Sequence, residues 1–477
     1  MRRSIVPLIV VVLIVAVVGG FAIARSRSSA PKAAPTEAAA DPGAVEPDGG
    51  EPEGEGFSEG GDPDASAENH VGTTRVRNRP LDPSALAATG WAGEIQIANE
   101  DTWEPDVAAD PSSPYVYAMY NRFGITCHRC PNPQMQVRIS SDGGQTWAPE
   151  KPMCTCTGVA WQYDPVIAVS SSGTVSAAWM NANTIVFSKS TDHGATWSTP
   201  VAASGKSWAD KPWMAVSANG TDVYIAYESR SQLQLTSSHN GGATFSAPVT
   251  VNTDSSVYRY PNGFVVLPNG TAVLSDSKYS GGSVKTAGPV EIEVWRSTNG
   301  GTSWSKVSVD NTVFTGVNFE TSSTTTIAAD AAGTLVVEYS GAPTLGANNR
   351  VYTRRSTDGG LTWSVRAEVG NASANGSFPA IAAKGAGDFR LTYMDNSTGA
   401  WNVWYRASTD GGQTWSAPLR VSDATSGTPY KTANGFASYY GDYDAIAITN
   451  AGKSVTVSGQ GQSFSSGPGS IWFNRQI

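Results

Sequence analysis

Acidic, basic and aromatic residues recur at the two positions that precede a series of prolines. The series includes Trp103-Glu104-Pro105, Tyr163-Asp164-Pro165, Asp210-Lys211-Pro212 and Arg259-Tyr260-Pro261. Carboxylates and cations supply hydrogen bonds and aromatic rings supply flat apolar faces, so this set suits a carbohydrate ligand. Trp161, Trp208 and Trp213 lie close by in the sequence and would add further rings. The alternative interpretation is structural, with Asp and Lys pairing between repeats while the tryptophans fill the interfaces.

A second motif, Ser-x-Asp-x-Gly-x-Thr-Trp, divides the chain into the repeats that would position these residues. Full copies begin at Ser140, Ser190, Ser356 and Ser408, and weaker copies with Asn for Asp begin at Ser238 and Ser297. Successive copies start 48 to 59 residues apart, a period typical of repeat folds. Each copy lies between two strand-like runs and predicts a hairpin turn, in which the Asp accepts backbone hydrogen bonds and the Trp packs against a neighbouring repeat. We therefore expect a structural role for the motif.

Tight glycine turns, such as Asn219-Gly220 and Asn269-Gly270, supply a second hairpin in each repeat. Each repeat then has four strands, which make one blade of a β-propeller. Six blades carry the motif, and strand-like runs near Tyr443–Thr449, Ser454–Ser458 and Ser470–Arg475 begin a seventh. The segment Gly93–Ala98 would complete that blade and remove the free sheet edges.

The sequence thus predicts an all-β propeller of seven blades, with six as the alternative. In this topology the turns formed by the Ser-x-Asp-x-Gly-x-Thr-Trp motif, which we call the box turns, lie on one face of the propeller. We call this face the box face. The starts of the inner strands lie on the opposite face, which we call the channel face, and a ligand site is expected there.

Composition divides the chain into three segments. Residues 1–25 contain the apolar run Ile5–Ala24, long enough to span a bilayer, and cleavage as a signal peptide is the alternative. Residues 26–85 form an acidic tether rich in Pro, Gly and Ala, and residues 86–477 form the propeller. We expect a monomeric single-pass membrane protein with its propeller on the extracytoplasmic side, or a secreted protein if the segment is cleaved.

The acidity of the chain is concentrated in the tether. Residues 31–70 hold 11 acidic residues and one lysine, and the first 30 residues hold four arginines. Only −3 of the net charge of −9 is therefore left for residues 71–477. A nearly neutral propeller argues against a nucleic-acid partner.

The motif copies are Asp boxes, or BNR repeats, and residues 90–477 resemble the sialidase-like (neuraminidase) superfamily of propellers. The resemblance implies a glycan or cell-surface polysaccharide as partner and no cofactor. Active sialidases carry an early Arg-Ile-Pro signature, three arginines that bind the substrate carboxylate, a Tyr nucleophile paired with a Glu, and an Asp acid/base. In this chain Trp103 occupies the signature arginine position of the first blade. The nearest match is Tyr258-Arg259-Tyr260-Pro261 in the fourth blade.

The resemblance implies roles for scattered residues. Arg259 is the candidate carboxylate ligand, Arg230 and Glu228 resemble the basic and acidic pair that follows the signature, and Tyr443 resembles the nucleophile. Asp164 and Asp210 are the candidate acid/base residues. The expected ligand-binding residues are Arg122, Glu104, Trp103, Trp161, Trp213 and Tyr260. Because the signature blade is not first, three functions stay open: an exo-α-sialidase, another glycoside hydrolase, and a non-catalytic glycan- or protein-binding propeller.

The four cysteines form one local cluster, Cys127-x-x-Cys130 and Cys154-x-Cys156. In an exported protein we expect two disulfides that staple two long loops of the channel face. A zinc or copper site that also uses His128 is the alternative. No other metal site is predicted.

Overall fold

The computed structural model describes residues 87–98, 102–205, 208–230, 232–252, 254, 256–280, 287–315, 324–399, 401–422, 444–461 and 469–477. The predicted membrane segment and tether lie outside the described residues. The described part of the chain forms 28 strands and no helix, and so offers no helix that could cross a membrane.

The strands form seven antiparallel four-stranded sheets, which confirms the prediction of seven blades. Strands are given from the inside of each blade outward. Blade 1 contains β2 Thr102–Ala109, β3 Val116–Arg122, β4 Gln134–Ser140 and β5 Lys151–Pro152, and blade 2 contains β6 Gln162–Val169, β7 Val175–Asn181, β8 Thr184–Ser190 and β9 Val201–Ala202. Blade 3 contains β10 Asp210–Val216, β11 Val223–Ser229, β12 Gln232–Ser238 and β13 Val249–Thr250. Blade 4 contains β14 Tyr258–Val266, β15 Ala272–Tyr279, β16 Gly288–Ser297 and β17 Ser305–Phe314. Blade 5 contains β18 Thr325–Ala329, β19 Leu335–Gly341, β20 Arg350–Ser356 and β21 Ala367–Glu368.

Blade 6 contains β22 Gly376–Ala383, β23 Phe389–Asp395, β24 Asn402–Ser408 and β25 Leu419–Arg420. Blade 7 is built from both ends of the propeller, with β26 Asp444–Ile448, β27 Ser454–Gly461 and β28 Gly469–Arg475 completed by β1 Ile95–Ala98. Ile95 pairs with Phe473 in this outer ladder. The N-terminal segment therefore closes the ring as the sequence predicts.

Each Asp box is the turn between the third and the outer strand of its blade. In the first box Asp142 accepts the backbone N–H groups of Gln145 and Thr146, each at 2.9 Å, and the Thr146 hydroxyl at 2.6 Å. Ser140 Oγ accepts the Gly144 N–H at 2.8 Å. A Cβ on Gly144 would lie 2.4 Å from the Phe473 ring of blade 7, so only glycine fits this turn.

The box aromatics pack against the preceding blade, as predicted. Trp147 meets Phe473 of blade 7 edge to face at 4.9 Å, and Phe245 of the third box meets Phe187 of blade 2 at 5.5 Å. Apolar clusters likewise join successive blades, and one of them joins Tyr117 of blade 1 to Trp179 of blade 2. Burial between blades thus holds the ring together and fixes the inner strands around the axis.

Candidate functional site

The inner strands of five blades contain a bulge at or directly after the proline that the sequence repeats. The ladder register shifts there in β2, β6, β10, β14 and β22. In four of these strands the residue before the proline is left-handed, with φ between 51° and 54°: Glu104, Asp164, Lys211 and Phe378. A bulge changes the direction of a side chain, and a left-handed non-glycine residue is strained. The strain therefore falls at the channel-face positions that the sequence singled out.

Three of these bulge residues link blades 1, 2 and 3. Glu104 Oε2 accepts the side-chain N–H of Asn121 in its own blade and the backbone N–H of Asp164 in blade 2, each at 2.8 Å. The Asp164 Oδ1 atom lies 3.3 Å from Lys211 Nζ of blade 3, and both side chains are 2% exposed. These contacts place Glu104, Asp164 and Lys211 in one buried chain. They match the structural alternative of pairing between repeats.

The chain continues through blade 3 towards blade 4. Asp210 accepts the Lys211 N–H at 2.8 Å and lies opposite Glu228 in the ladder. Burial raises the pKa of the Tyr258 hydroxyl of blade 4 well above its usual value, and the nearby Glu228 and Asp210 carboxylates raise it further. The predicted residues Asp164, Asp210 and Glu228 are thus neighbours, together with Lys211 and Tyr258.

Arg259 lies inside blade 4. Its Nη1 atom binds Asp276 Oδ2 and, at 2.5 Å, Glu293 Oε2, and both carboxylates are fully buried. The guanidinium also lies 5.2 Å from the centre of the Trp295 ring. Burial and the neighbouring Asp276 raise the pKa of Glu293, although the contact with Arg259 lowers it. Arg259 thus neutralises two acids of its own blade.

The other two predicted arginines belong to different blades. Arg122, at the end of β3, forms an ion pair with Glu150, and its partial burial lowers its pKa. Arg230 is exposed in the turn after β11, where it lines a cleft of about 210 Å³ with Tyr227, Gln232 and Gln234. Arg122, Arg230 and Arg259 therefore lie in blades 1, 3 and 4 respectively.

The predicted aromatic residues differ in exposure. Trp161 and Tyr163 are buried, with ring centres 5.6 Å apart, and Tyr260 is fully buried. Trp213 is half-buried and lines a cavity on the propeller axis. Tyr443 and the side chain of Trp103 lie outside the described residues. The roles that the sequence assigned to all these side chains stay predictions.

The axial cavity has a volume of about 90 Å³ and is lined by inner strands of six blades. Its lining residues are Asp106, Trp213, Asn262, Thr324, Thr326, Phe378, Pro379, Ala380, Ile381, Asp444, Ala445 and Ile446. Asp106 accepts the N–H groups of Val107 and Ile167, each at 2.8 Å. Burial raises its pKa to about 7 even though these hydrogen bonds lower it.

The sequence reasoning missed Asp106 because it considered only the residues before each proline. A signal was present, since Asp106 is the acidic residue directly after Pro105 while Val166, Trp213 and Ala380 follow the prolines of blades 2, 3 and 6. Asp106 lies past the bulge, where the register resumes opposite Met119, and it faces the axial cavity.

Two sequence families match parts of the chain. The family described as BNR repeat-like domain matches residues 120–272, and the family described as BNR/Asp-box repeat matches residues 406–417. The chain is a seven-bladed propeller that carries BNR/Asp-box repeats. No curated protein sequence matches it.

Solved structures similar to this BNR-repeat propeller include sialidases and a polysaccharide lyase. A Hadza microbial sialidase is 17% identical, with 80% of this chain and 68% of that chain covered and a TM-score of 0.43. A polysaccharide lyase of family PL25, an ulvan lyase, is 12% identical, with 80% and 95% covered and a TM-score of 0.49. A leech intramolecular trans-sialidase is 12% identical, with 78% and 68% covered and a TM-score of 0.43. At these levels of sequence identity, the similarity extends to the fold alone.

The cysteines of the BNR-repeat propeller form two disulfides, Cys127–Cys130 and Cys154–Cys156. Each disulfide closes its own short loop, so neither one cross-links the two loops in the way that a staple would. Within the described ranges, no group of three or more His, Cys, Asp and Glu side chains could hold a metal ion.

Proposed function

We propose that this protein binds the neutral or amino-sugar end of a glycan at the axial cavity of the channel face and does not hydrolyse sialosides. The observation that carries the proposal is the charge of the cavity. Among its lining residues Asp106 and Asp444 are acidic, and none is Lys or Arg. A sialic acid would bring its carboxylate next to Asp444 and next to Asp106, whose pKa of about 7 a further carboxylate would raise. No cation among the lining residues would offset that repulsion, which is strong where water is partly excluded.

The arginines support the same choice of ligand. A sialidase site needs guanidinium groups that converge on the substrate carboxylate. Arg259 and Arg122 are both held by carboxylates of the protein itself, in blades 4 and 1. Releasing Arg259 to a substrate would leave Asp276 and Glu293 buried next to each other without their guanidinium partner, which is costly.

The cavity carries groups that recognise sugars without a charge on the ligand. Trp213 offers an aromatic face, and Asn262, Thr324 and Thr326 offer amide and hydroxyl groups. Two acidic groups in the same cavity would also attract the ammonium group of an amino sugar. We place this activity at the cell surface, outside the membrane, because the sequence predicts a membrane segment followed by a tether.

The proposal is tested by binding of the full chain to neutral, free-amine and sialylated oligosaccharides. We expect binding of the first two classes and exclusion of the third. The double change Asp106→Asn and Asp444→Asn should reduce the discrimination against sialylated ligands by about tenfold, which corresponds to about 1.4 kcal/mol. Asp192→Asn, on the box face, is the control and should change nothing. Preferential binding of sialylated ligands would overturn the proposal.

A second candidate function is hydrolysis of the bound neutral glycan. The observation that favours it is the raised pKa of Asp106, about 7, in a cavity that also contains Asp444. A carboxyl group with this pKa can act as a general acid at neutral pH, and a second carboxylate is the usual partner in glycoside hydrolysis. Turnover of a neutral glycan by the unmodified chain, lost in Asp106→Asn while binding persists, would establish this function.

A further inference from the structure

The loop between β3 and β4 contains a disulfide whose position does not fit a purely structural role. Cys127 and Cys130 are three residues apart and close a loop that contains only His128 and Arg129. A disulfide restricts the unfolded chain less as its loop becomes shorter, so this bridge gives little stability by that route.

Backbone hydrogen bonds, and not the disulfides, hold the two cysteine loops together. The Gly158 N–H donates to Arg129 O and the Asn132 N–H donates to Ala160 O, each at 2.9 Å. These bonds join the Cys127–Cys130 loop to the loop that carries Cys154 and Cys156. Neither disulfide is itself part of the contact between the loops.

The surroundings of Cys127 and Cys130 favour reaction with thiols. Cys127, His128 and Arg129 are exposed, and Cys130 is half-buried. Neither His128 nor Arg129 forms an ion pair with any described residue, so the charge of Arg129, and that of His128 when protonated, is available to a nearby thiolate. Reactive cysteines occur in such accessible, electropositive surroundings.

The second disulfide offers a contrast within the same molecule. Cys154 and Cys156 are both half-buried and enclose the uncharged Thr155. Cys154 also packs against the apolar cluster between blades 1 and 2, and its sulfur accepts a hydrogen bond from Gln162 Nε2 at 3.3 Å. This disulfide has less access and no cation within its loop.

We propose that the Cys127–Cys130 disulfide is a thiol–disulfide exchange site whose substrate is a dithiol. A thiolate of the dithiol attacks the exposed Cys127 sulfur, the bond between the two cysteine sulfurs breaks, and Cys130 leaves as a thiolate next to Arg129 and His128. The second thiol of the dithiol then attacks the mixed disulfide and releases Cys127, which takes up a proton. The protein disulfide is reduced by two electrons and the dithiol is oxidised to a disulfide.

The first test compares the two disulfides of the full chain under limiting dithiothreitol. Samples are quenched with an alkylating reagent at intervals, and the modified cysteines are mapped by peptide mass. We expect Cys127–Cys130 to be reduced at least about tenfold faster than Cys154–Cys156, and to reform with oxidised glutathione. Equal rates, or faster reduction of Cys154–Cys156, would overturn the proposal.

Two sets of variants test the role of the neighbouring cations and the contribution of the Cys127–Cys130 disulfide to stability separately from the exposure of its sulfurs. The double change His128→Gln and Arg129→Gln should slow reduction of Cys127–Cys130 by about threefold or more and leave Cys154–Cys156 unchanged. An unchanged rate contradicts the assigned role of the cations. The double change Cys127→Ser and Cys130→Ser should keep the denaturation midpoint of the unmodified chain, whereas a marked fall would show that the bridge is a structural staple.

Discussion

The box face and the channel face use the same chemical group, a carboxylate, in opposite ways. On the box face, hydrogen bonds from the Thr414 hydroxyl and backbone lower the pKa of Asp410 to about 2, and this carboxylate is well solvated. On the channel face, burial raises the pKa of Asp106 to about 7. The box carboxylates are held in their charged form, whereas Asp106 is held in a form that can gain or lose a proton near neutrality.

The difference comes from what surrounds each group. A box turn supplies several donors to a single carboxylate, all of them within four residues of the Asp, so the same arrangement recurs in several blades. The channel-face groups are buried and obtain their partners from other strands and other blades. The hydrogen bonds of the box turns are local and repeated, and they build the scaffold. The side chains that differ between blades lie on the channel face.

The largest expected effect concerns the buried ion pairs of blade 4. Arg259→Met leaves Asp276 and Glu293 without their guanidinium partner, and we expect the free energy of unfolding to fall by about 3–5 kcal/mol. Arg122→Met removes a half-exposed pair and should cost at most about 1 kcal/mol. Urea denaturation of both variants measures the difference, and equal losses would show that burial does not distinguish the two sites.

A smaller effect is expected on the box face. Asp410→Ala removes the acceptor of the Gln413 and Thr414 N–H groups and should cost about 1–2 kcal/mol. Asp410→Asn should cost much less, because Asn240 and Asn299 fill the same position in two boxes and still accept the backbone N–H at 3.0 and 3.1 Å. If Asn proves as harmful as Ala in denaturation, the carboxylate charge matters more than the turn geometry.

The smallest effect is a difference in pH dependence between the faces. An acid whose folded pKa is raised stabilises the fold less as pH rises, so Asp106 should reduce stability between about pH 4 and 7. Asp106→Asn should flatten the pH profile in that window. Asp410, whose pKa is lowered, contributes stability above about pH 4 that is lost as pH falls towards 2. Thermal unfolding across pH 2–8 measures both, and a profile of Asp106→Asn parallel to that of the unmodified chain contradicts the assignment.

The scaffold was predictable from sequence because its determinants are local and repeated. The box turn of Ser140–Trp147 obtains its hydrogen bonds within itself, and closure of blade 7 by β1 followed from counting strands. The side-chain contacts of Arg259 were not predictable, since its partners Asp276 and Glu293 lie 17 and 34 residues away in the sequence. Left-handed bulges at Glu104, Asp164 and Lys211 likewise leave no local sequence signal beyond the following proline.

The central claim is that glycans bind on the channel face while the box face is scaffold. Titration calorimetry with a neutral oligosaccharide that binds the full chain tests it most directly, on Trp213→Ala and on Asp410→Asn, each checked for an intact fold. We predict that Trp213→Ala weakens the affinity at least about tenfold and that Asp410→Asn leaves it unchanged. Full affinity in Trp213→Ala, or loss of affinity in Asp410→Asn, would contradict the account.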